Sequence, residues 1–363
     1  MPVYIHDITT SVPLGSNSQD FVREIMKSAL GKDRKTQAIL HRIYSQSGID
    51  KRHSVIDEFH QTDKINPYLN GSIETSPTTG ERNEVYKKEA SSLFVETGEK
   101  LLERNPHINN SDITHVITVS CTGFYAPGPD YDLVKNLGLN PSTQRFHLGF
   151  MGCFAAFPAL KMAHSFCQND PNAIVLIVAT ELCSLHFQHK TDLDNLISAS
   201  VFADGSAGVL VSQKKSPKPS FEIHGFSSSL TPKGEKDMAW DIGDHGFDMV
   251  LSTYVPDIIE ANLKEVIQPL FDDYKIEYSD IDYWALHPGG RAIVDKIQTS
   301  LSLSDEQVAA SRKTLANYGN MSSVTILFVL LELMNSNPEQ GSKVLPMAFG
   351  PGLTIESGLL SVA

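Results

Sequence analysis

Apolar positions along the chain fall into short alternating or continuous runs and longer stretches of helical spacing, and the two kinds follow one another in order. Residues 3–8 read as a strand. Residues 19–30 carry helical spacing and are preceded by Ser18, a residue type that caps helix N-termini. Residues 84–103 predict a longer helix, and residues 71–80, rich in Ser, Thr and Pro, predict a loop before it. From there strands are predicted at 116–119, 173–178 and 207–211, with helices after Pro129 and over 153–166. Residues 214–220, with two prolines and three lysines, read as a linker, after which the order recurs. Strands are expected at 283–286, 344–348 and 353–357, and helices from Ala292 and from Asn320. Alternation of this kind predicts an α/β fold with a mostly parallel mixed sheet and covering helices.

The recurrence extends to polar residues. Cys153 lies in Gly149-Phe150-Met151-Gly152-Cys153-Phe154-Ala155-Ala156-Phe157, and Asn320 lies 167 positions later (320 − 153) in Tyr318-Gly319-Asn320-Met321-Ser322-Ser323. Each polar residue follows a glycine and opens an apolar stretch. His287, in Leu286-His287-Pro288-Gly289-Gly290, stands at the same offset from Ser120 (287 − 120), which ends the 116–119 strand. A period this long indicates two fused, pseudo-symmetric halves rather than a solenoid. Their expected bounds are 1–213, carrying the cysteine, and 221–363, carrying the histidine and asparagine.

Composition narrows the function. With 363 residues, 41% of them apolar, the chain can bury a large core, and a net charge of −13 argues against a phosphate-backbone binder of nucleic acid. Residues 324–334, the most apolar stretch, are too short and interrupted to span a bilayer and predict a core helix, with no membrane insertion. Cys121, Cys153, Cys167 and Cys183 show no disulfide or metal spacing, and the N-terminal residues show no signal-peptide pattern. A reducing cytoplasm is the expected location.

A cysteine at the first turn of a helix gains thiolate stabilisation from unpaired backbone N–H groups and the helix dipole, and a nearby imidazolium adds to it. Gly152 permits a tight turn that exposes such a nucleophile. A lone cysteine is otherwise a small buried hydrophobe, and a lone Asn320 would be a helix N-cap. The duplicated setting points elsewhere. Asn320 as counterpart of Cys153 faces the same cleft, where its amide can join His287 in stabilising an oxyanion or enolate.

These motifs, with Phe202-Ala203-Asp204-Gly205 and Ala348-Phe349-Gly350-Pro351-Gly352-Leu353-Thr354, resemble the type III polyketide synthases, the chalcone and stilbene synthase family of the thiolase superfamily. The resemblance covers nearly the whole chain and implies a thiolase-like, duplicated αβαβα layering. It implies that Cys153 takes a starter acyl group from CoA and that His287 and Asn320 hold the malonyl thioester as CO2 leaves. Phe202 would supply the apolar gatekeeper wall that favours neutral CO2 over the carboxylate. The implied pocket comprises Cys121, Thr122, Cys183, His186, Trp240, Met249, Ser322, Phe349 and Pro351. Cys121 in Ser120-Cys121-Thr122-Gly123 resembles the bacterial branch, and Ala348 departs from the glycine usual there. Trp240 and Met249 replace a glycine and a phenylalanine, so Trp240 should fill space unless the Met249 exchange opens another lobe.

The resemblance further implies acyl-CoA and malonyl-CoA as substrates, no metal or redox cofactor, and a homodimer. Ala126 stands where many members extend a methionine across the dimer seam, which argues against the usual sharing of the pocket. For CoA it implies Arg42 on an early helix, with Gly290 and Ala292. Ile39 and Gln46 replace the other basic positions, leaving Lys35, Lys51 or Arg52 to share the work. Other condensing enzymes are the nearest alternatives. Priming ketoacyl carrier-protein synthases usually have Gln-Ala-Asn after the histidine, and hydroxymethylglutaryl-CoA synthases need a glutamate with no good match here. A cysteine hydrolase shares the order Cys, His, Asn but leaves the duplication unexplained. A non-catalytic CoA binder would not need all three groups.

Overall fold

The computed structural model describes residues 1–56, 68 and 75–363. In chain order the first part contains β1 (Val3–Ser11), β2 (Gly15–Ser18), α1 (Gln19–Leu30), α2 (Arg34–Ser45), β3 (Lys51–Ser54) and α3 (Thr79–Arg104). It continues with β4 (His115–Ser120), α4 (Pro129–Asn136), β5 (Gln144–Gly149), α5 (Ala156–Asn169), β6 (Ile174–Leu182), α6 (Leu193–Val201) and β7 (Asp204–Ser212). After the 214–220 segment come β8 (Phe221–Leu230), β9 (Met238–Gly243), β10 (Gly246–Leu251), α7 (Val255–Tyr274), β11 (Tyr283–Leu286) and α8 (Arg291–Leu301). The chain ends with α9 (Ala309–Tyr318), α10 (Thr325–Asn335), β12 (Lys343–Gly350) and β13 (Thr354–Val362).

Local chemistry sets several of these boundaries. Ser18 caps α1 through its hydroxyl, which accepts from the Phe21 N–H. α3 starts five residues before the expected 84 because Thr78 and Glu81 form a reciprocal capping box; the Thr78 N–H donates to Glu81 at 2.8 Å. Thr79 and Gly80 therefore belong to the helix rather than to the expected loop, whose residues 71–74 lie outside the described residues.

Among the described residues nine strands form one mixed sheet, in the order β11-β12-β13-β8-β1-β7-β6-β4-β5. The flanks are parallel, β5 and β6 on β4 and β11 on β12, while the pairs between them run antiparallel. β1 and β8 meet at the centre through Val3–Ile223, Tyr4–Glu222 and Ile5–Phe221, and the order outward on either side matches: β7, β6, β4 against β13, β12, β11. The match includes a detail of the turn before each outer strand. Asp112 before β4 accepts from the Asn109 N–H, and Asp280 before β11 accepts from the Glu277 N–H, each within a Ser-Asp-Ile sequence.

Three apolar clusters give the layering. α3 and α4 cover one face of the first half-sheet with β4, β6 and β7 side chains. α7 and α8 cover the second half-sheet through residues of β11, β12 and β13. Between them lie α5 and α10, which share one core with strands of both halves, including Ile5, Val209, Phe221 and Leu360. α10 is the predicted core helix, with six consecutive buried residues from Thr325 to Leu330. Truncating a leucine there, such as Leu330→Ala, costs about 2–5 kcal/mol. Among the described residues no helix is long and apolar enough to cross a membrane.

Candidate active site

The site lies where chain segments leave strands and enter the two central helices. Phe150 (φ 59°) and Gly152 (φ +89°) turn the chain sharply after β5, and the Ala155 N–H closes the turn onto the Gly152 carbonyl at 3.0 Å. Glycine is required at 152, because a Cβ would sit 2.4 Å from Pro351 Cδ in addition to the unfavourable φ. Cys153 consequently stands in the turn, three residues before α5, rather than at the helix start expected at 153. Asn320 behaves likewise. A short 3-10 turn over Ser322–Val324 intervenes, and α10 begins at Thr325. The Asn320 side chain folds back onto the start of this turn, its Oδ1 accepting from the Ser322 N–H at 2.9 Å.

His287 follows β11 directly, its N–H donating to the Met347 carbonyl at 2.8 Å. The ring is 1% exposed, and neither Nδ1 nor Nε2 has a protein partner. Burial alone lowers its pKa to about 3, so the imidazole is neutral. The Asn320 amide donates to the Gly289 carbonyl at 3.2 Å, and its other N–H lies on the side of the Cys153 thiol. Cys153, His287 and Asn320 line one cavity.

The thiol departs from expectation. Burial pushes the Cys153 pKa up to about 12, although hydrogen bonding to Ser322 and Asn320 and its own backbone draws it down. The helix dipole does not offset an apolar enclosure when the neighbouring imidazole carries no charge. The resting site is therefore a neutral thiol with a neutral imidazole.

Of the expected pocket residues, Cys121, Thr122, Cys183, Trp240 and Met249 line this cavity, as do Ser322, Phe349 and Pro351. Trp240 and Met249 are directly opposite each other on the β9–β10 ladder. The Trp240 indole N–H donates to the Cys121 carbonyl at 3.0 Å, fixing the hairpin over the loop after β4. His186 is the exception. It lines a neighbouring cavity, stacks on Phe247 with ring centroids 4.0 Å apart, and accepts from the Phe247 N–H through Nδ1. That bond leaves Nε2 as the protonated nitrogen, donating to the Thr122 carbonyl at 2.8 Å. Burial keeps this ring neutral, with a pKa of about 3.

Phe202 ends α6 and lines both cavities. Its backbone is tied to that of Asn320: the Ala203 N–H donates to the Asn320 carbonyl and the Asn320 N–H to the Val201 carbonyl, both at 2.8 Å. Arg52, expected among the residues sharing CoA binding, is buried and committed to this segment instead. It donates to the carbonyls of Ala199 (2.9 Å) and Phe202 (2.6 Å) and to Gln19 (3.0 Å). Arg42, Lys35 and Lys51 are exposed, as is Ala292, while Gly290 is partly buried. The Arg291 side chain packs against Gly48, which brings the loop after α2 beside the start of α8.

Glu181 escaped the motif reading. Fully buried on β6, it accepts from the Cys121 N–H (2.9 Å), the Thr122 hydroxyl (2.9 Å) and the Ser323 hydroxyl. Burial raises its pKa to about 7 against these bonds. It joins the loop bearing Cys121 to the turn bearing Ser322. A carboxylate inside an otherwise apolar strand was the available signal.

Known proteins agree with this arrangement. The chain matches the models for the N-terminal domain of chalcone and stilbene synthases over residues 4–215 and for the C-terminal domain over residues 222–363. It is similar over its whole length to PKS-I from the brown alga Ectocarpus siliculosus (28% identity, 98% of that chain, TM-score 0.91). It is equally similar to the C-terminal type III polyketide synthase domain of Steely1, a type I/III hybrid from Dictyostelium (28% identity, 99% of that chain, TM-score 0.92). The chain therefore belongs to the chalcone and stilbene synthase family of type III polyketide synthases and is a condensing acyltransferase.

Proposed function

We propose that Cys153 loads an acyl group from a CoA starter, or from malonyl-CoA, and that the chain extends it by iterative decarboxylative condensation with malonyl-CoA before cyclisation. In loading, the Cys153 sulfur bonds the acyl carbon, the carbon–sulfur bond to CoA breaks, and the thiol proton passes by way of a His287 ring nitrogen to the leaving CoA thiolate. In extension, the single N–H of neutral His287 and the Asn320 amide hold the malonyl thioester oxygen, where charge develops as CO2 departs. Phe202 presents apolar surface that disfavours the carboxylate relative to CO2. The released carbanion bonds the acyl carbon of the Cys153 thioester, the bond from that carbon to the Cys153 sulfur breaks, and the expelled thiolate takes up a proton from water; the extended chain, now on CoA, reloads the thiol for the next cycle.

The observation that carries this reading is the orphaned imidazole. Two ring nitrogens, 1% exposed and unpaired, beside a part-free amide and a thiol in one cavity call for a substrate that completes them. We place the CoA phosphates at Arg42 with Gly290 and Ala292, on the side where the loop after α2 meets the start of α8. The chain would act as a homodimer in the cytoplasm, with Ala126 leaving each pocket to its own subunit, and with residues 1–213 and 221–363 as the two halves. Purified protein given malonyl-CoA and a panel of acyl-CoA starters should release CO2 and CoA and yield a pyrone, resorcinol or phloroglucinol-type product. Product formation that survives Cys153→Ala would refute the assignment of the nucleophile.

A further inference from the structure

We infer that the outward face of α2 docks an acidic carrier protein, which delivers the starter acyl group to Cys153 as a thioester of its phosphopantetheine arm. The inference rests on the reading of Cys153 as acyl acceptor.

The chain carries a net charge of −13, yet from Lys32 to Gln46 its only carboxylate is Asp33. That group is committed to the helix itself, accepting from the N–H groups of Lys35 (2.8 Å) and Thr36 (3.0 Å) and from the Thr36 hydroxyl (2.7 Å). With Leu40 and Tyr44 buried against the protein, the opposite face of α2 is open. Helical spacing sorts this face into two rows, Arg34–Ala38–His41 and Lys35–Ile39–Arg42. Each runs base, apolar residue, base. All six residues are exposed except Ile39, which is half-buried. Among the described residues Arg34, Lys35 and Arg42 form no ion pair, while the acids of the adjoining α1, Asp20 and Glu24, are taken by Arg23 and Lys27. The positive charge on α2 is therefore left for a partner. Arg34 and Arg42 stand eight residues apart, ~12 Å along the helix. A partner helix with carboxylates on either side of an apolar segment meets both rows at once, whereas a phosphate group touches one end and gains nothing from Ala38 and Ile39.

The fold leads from this face to the nucleophile. Ile49, in the loop after α2, shares one apolar cluster with Phe202 and Leu251, and both of these line the cavity holding Cys153. Gly289 and Ile293, at the start of α8, line the same cavity, and Arg291 between them lies against Gly48 of the loop after α2. An arm entering between this loop and α8 thus reaches Cys153 from a carrier seated on α2. There the Cys153 sulfur bonds the acyl carbon, the bond from that carbon to the pantetheine sulfur breaks, and the thiol proton passes to the leaving thiolate.

Single-turnover acylation of Cys153, followed by intact mass without malonyl-CoA, tests this with acetyl and octanoyl groups carried on pantetheine, on CoA and on the free-standing acyl carrier protein of bacterial fatty-acid synthesis. At equal, subsaturating concentration and low salt the carrier ester should load at least ~10-fold faster than the CoA ester, because docking charges steer the encounter. Raising NaCl from about 0.05 M to about 0.5 M should remove most of that advantage, since exposed charges are screened. Arg34→Glu combined with Ala38→Glu alters two exposed positions and should slow the carrier ester at least ~10-fold, while the CoA and pantetheine esters load as before. The salt series on wild-type protein remains readable should the double variant not fold. A CoA ester that loads as fast as the carrier ester, a carrier advantage indifferent to salt, or a folded double variant that slows no ester or all three alike would overturn the proposal. Wild-type protein that takes no acyl group on Cys153 from any ester would instead remove the reading on which the inference rests, and the inference with it.

Discussion

Glu181→Gln isolates the energetics of the buried carboxylate beneath the site. In the folded protein burial raises the Glu181 pKa from 4.5 to about 7, so between those values the folded chain binds more protons than the unfolded one. Stability from this group is present below pH ~4.5 and is lost as pH rises to ~7. At about 1.4 kcal/mol per pH unit the loss is about 3 kcal/mol. Glutamine keeps the shape and cannot ionise, so whatever it gains or loses against Cys121, Thr122 and Ser323 is independent of pH. Other groups titrate over the same range: Asp204 is raised to about 6, and His6 and His287 are lowered to about 4 and about 3. The difference between wild type and variant removes them. Guanidinium unfolding at intervals from pH ~4 to ~8 should show the variant gaining about 3 kcal/mol relative to wild type, then levelling off. With an m-value of about 6 kcal/mol/M this is a midpoint difference of about 0.5 M. Parallel stability curves across the range would refute the argument that burial, rather than hydrogen bonding, governs this carboxyl group.

Three further outcomes follow from the geometry. Asn320→Ala removes one of two donors to the developing enolate and should lower CO2 release from malonyl-CoA ~100-fold, read by coupled CO2 detection. Gly152→Ala places a Cβ 2.4 Å from Pro351 at φ +89°; it should cost about 1–3 kcal/mol by chemical denaturation and slow alkylation of Cys153 by iodoacetamide. Arg52→Met leaves the Phe202 carbonyl and Gln19 Oε1 without their guanidinium donor, while the Ala199 carbonyl keeps the Tyr44 hydroxyl. It should destabilise by about 1–3 kcal/mol per orphaned group, with Arg52→Lys recovering only part because one ammonium replaces a fixed fork.

The parts of the fold legible in sequence are those written in one contiguous segment. β11 coincides with the predicted 283–286 strand, Ser18 caps α1 as expected, and the apolar 324–334 stretch is the core of the molecule. The glycine-flanked Cys153 and Asn320 could be paired because a duplicated turn needs the same glycine twice, at Gly152 (φ +89°) and Gly319 (φ +71°). Residues whose surroundings contradict their type were not legible. Arg52 reads as a surface cation and Glu181 as an exposed acid, yet both are enclosed and their partners lie far away in sequence; the Arg52 bond to Phe202 crosses 150 positions. α7 carries a helical apolar stripe from Val255 through Ile259, Leu263, Ile267 and Leu270, but Pro269 inside it argues against a helix, and the short β9–β10 hairpin gives only six residues per strand; both passed unread.

That hairpin decides the shape of the interior. From sequence Trp240 could only be read as bulk in a pocket, because its effect depends on what holds it and on what lies behind it. The indole is held by the Cys121 carbonyl, 119 positions away, and by edge contacts to His186 and Phe247, with ring centroids 5.6 and 5.7 Å distant. His186 is itself fixed by bonds to Thr122 and Phe247. A large side chain so fastened divides the interior instead of merely shrinking it. Met249, opposite it on the ladder, is unbranched and adaptable where the family's phenylalanine would be rigid. The same pair of exchanges that departs from the family pattern thus narrows the space around Cys153 and borders a second space behind it.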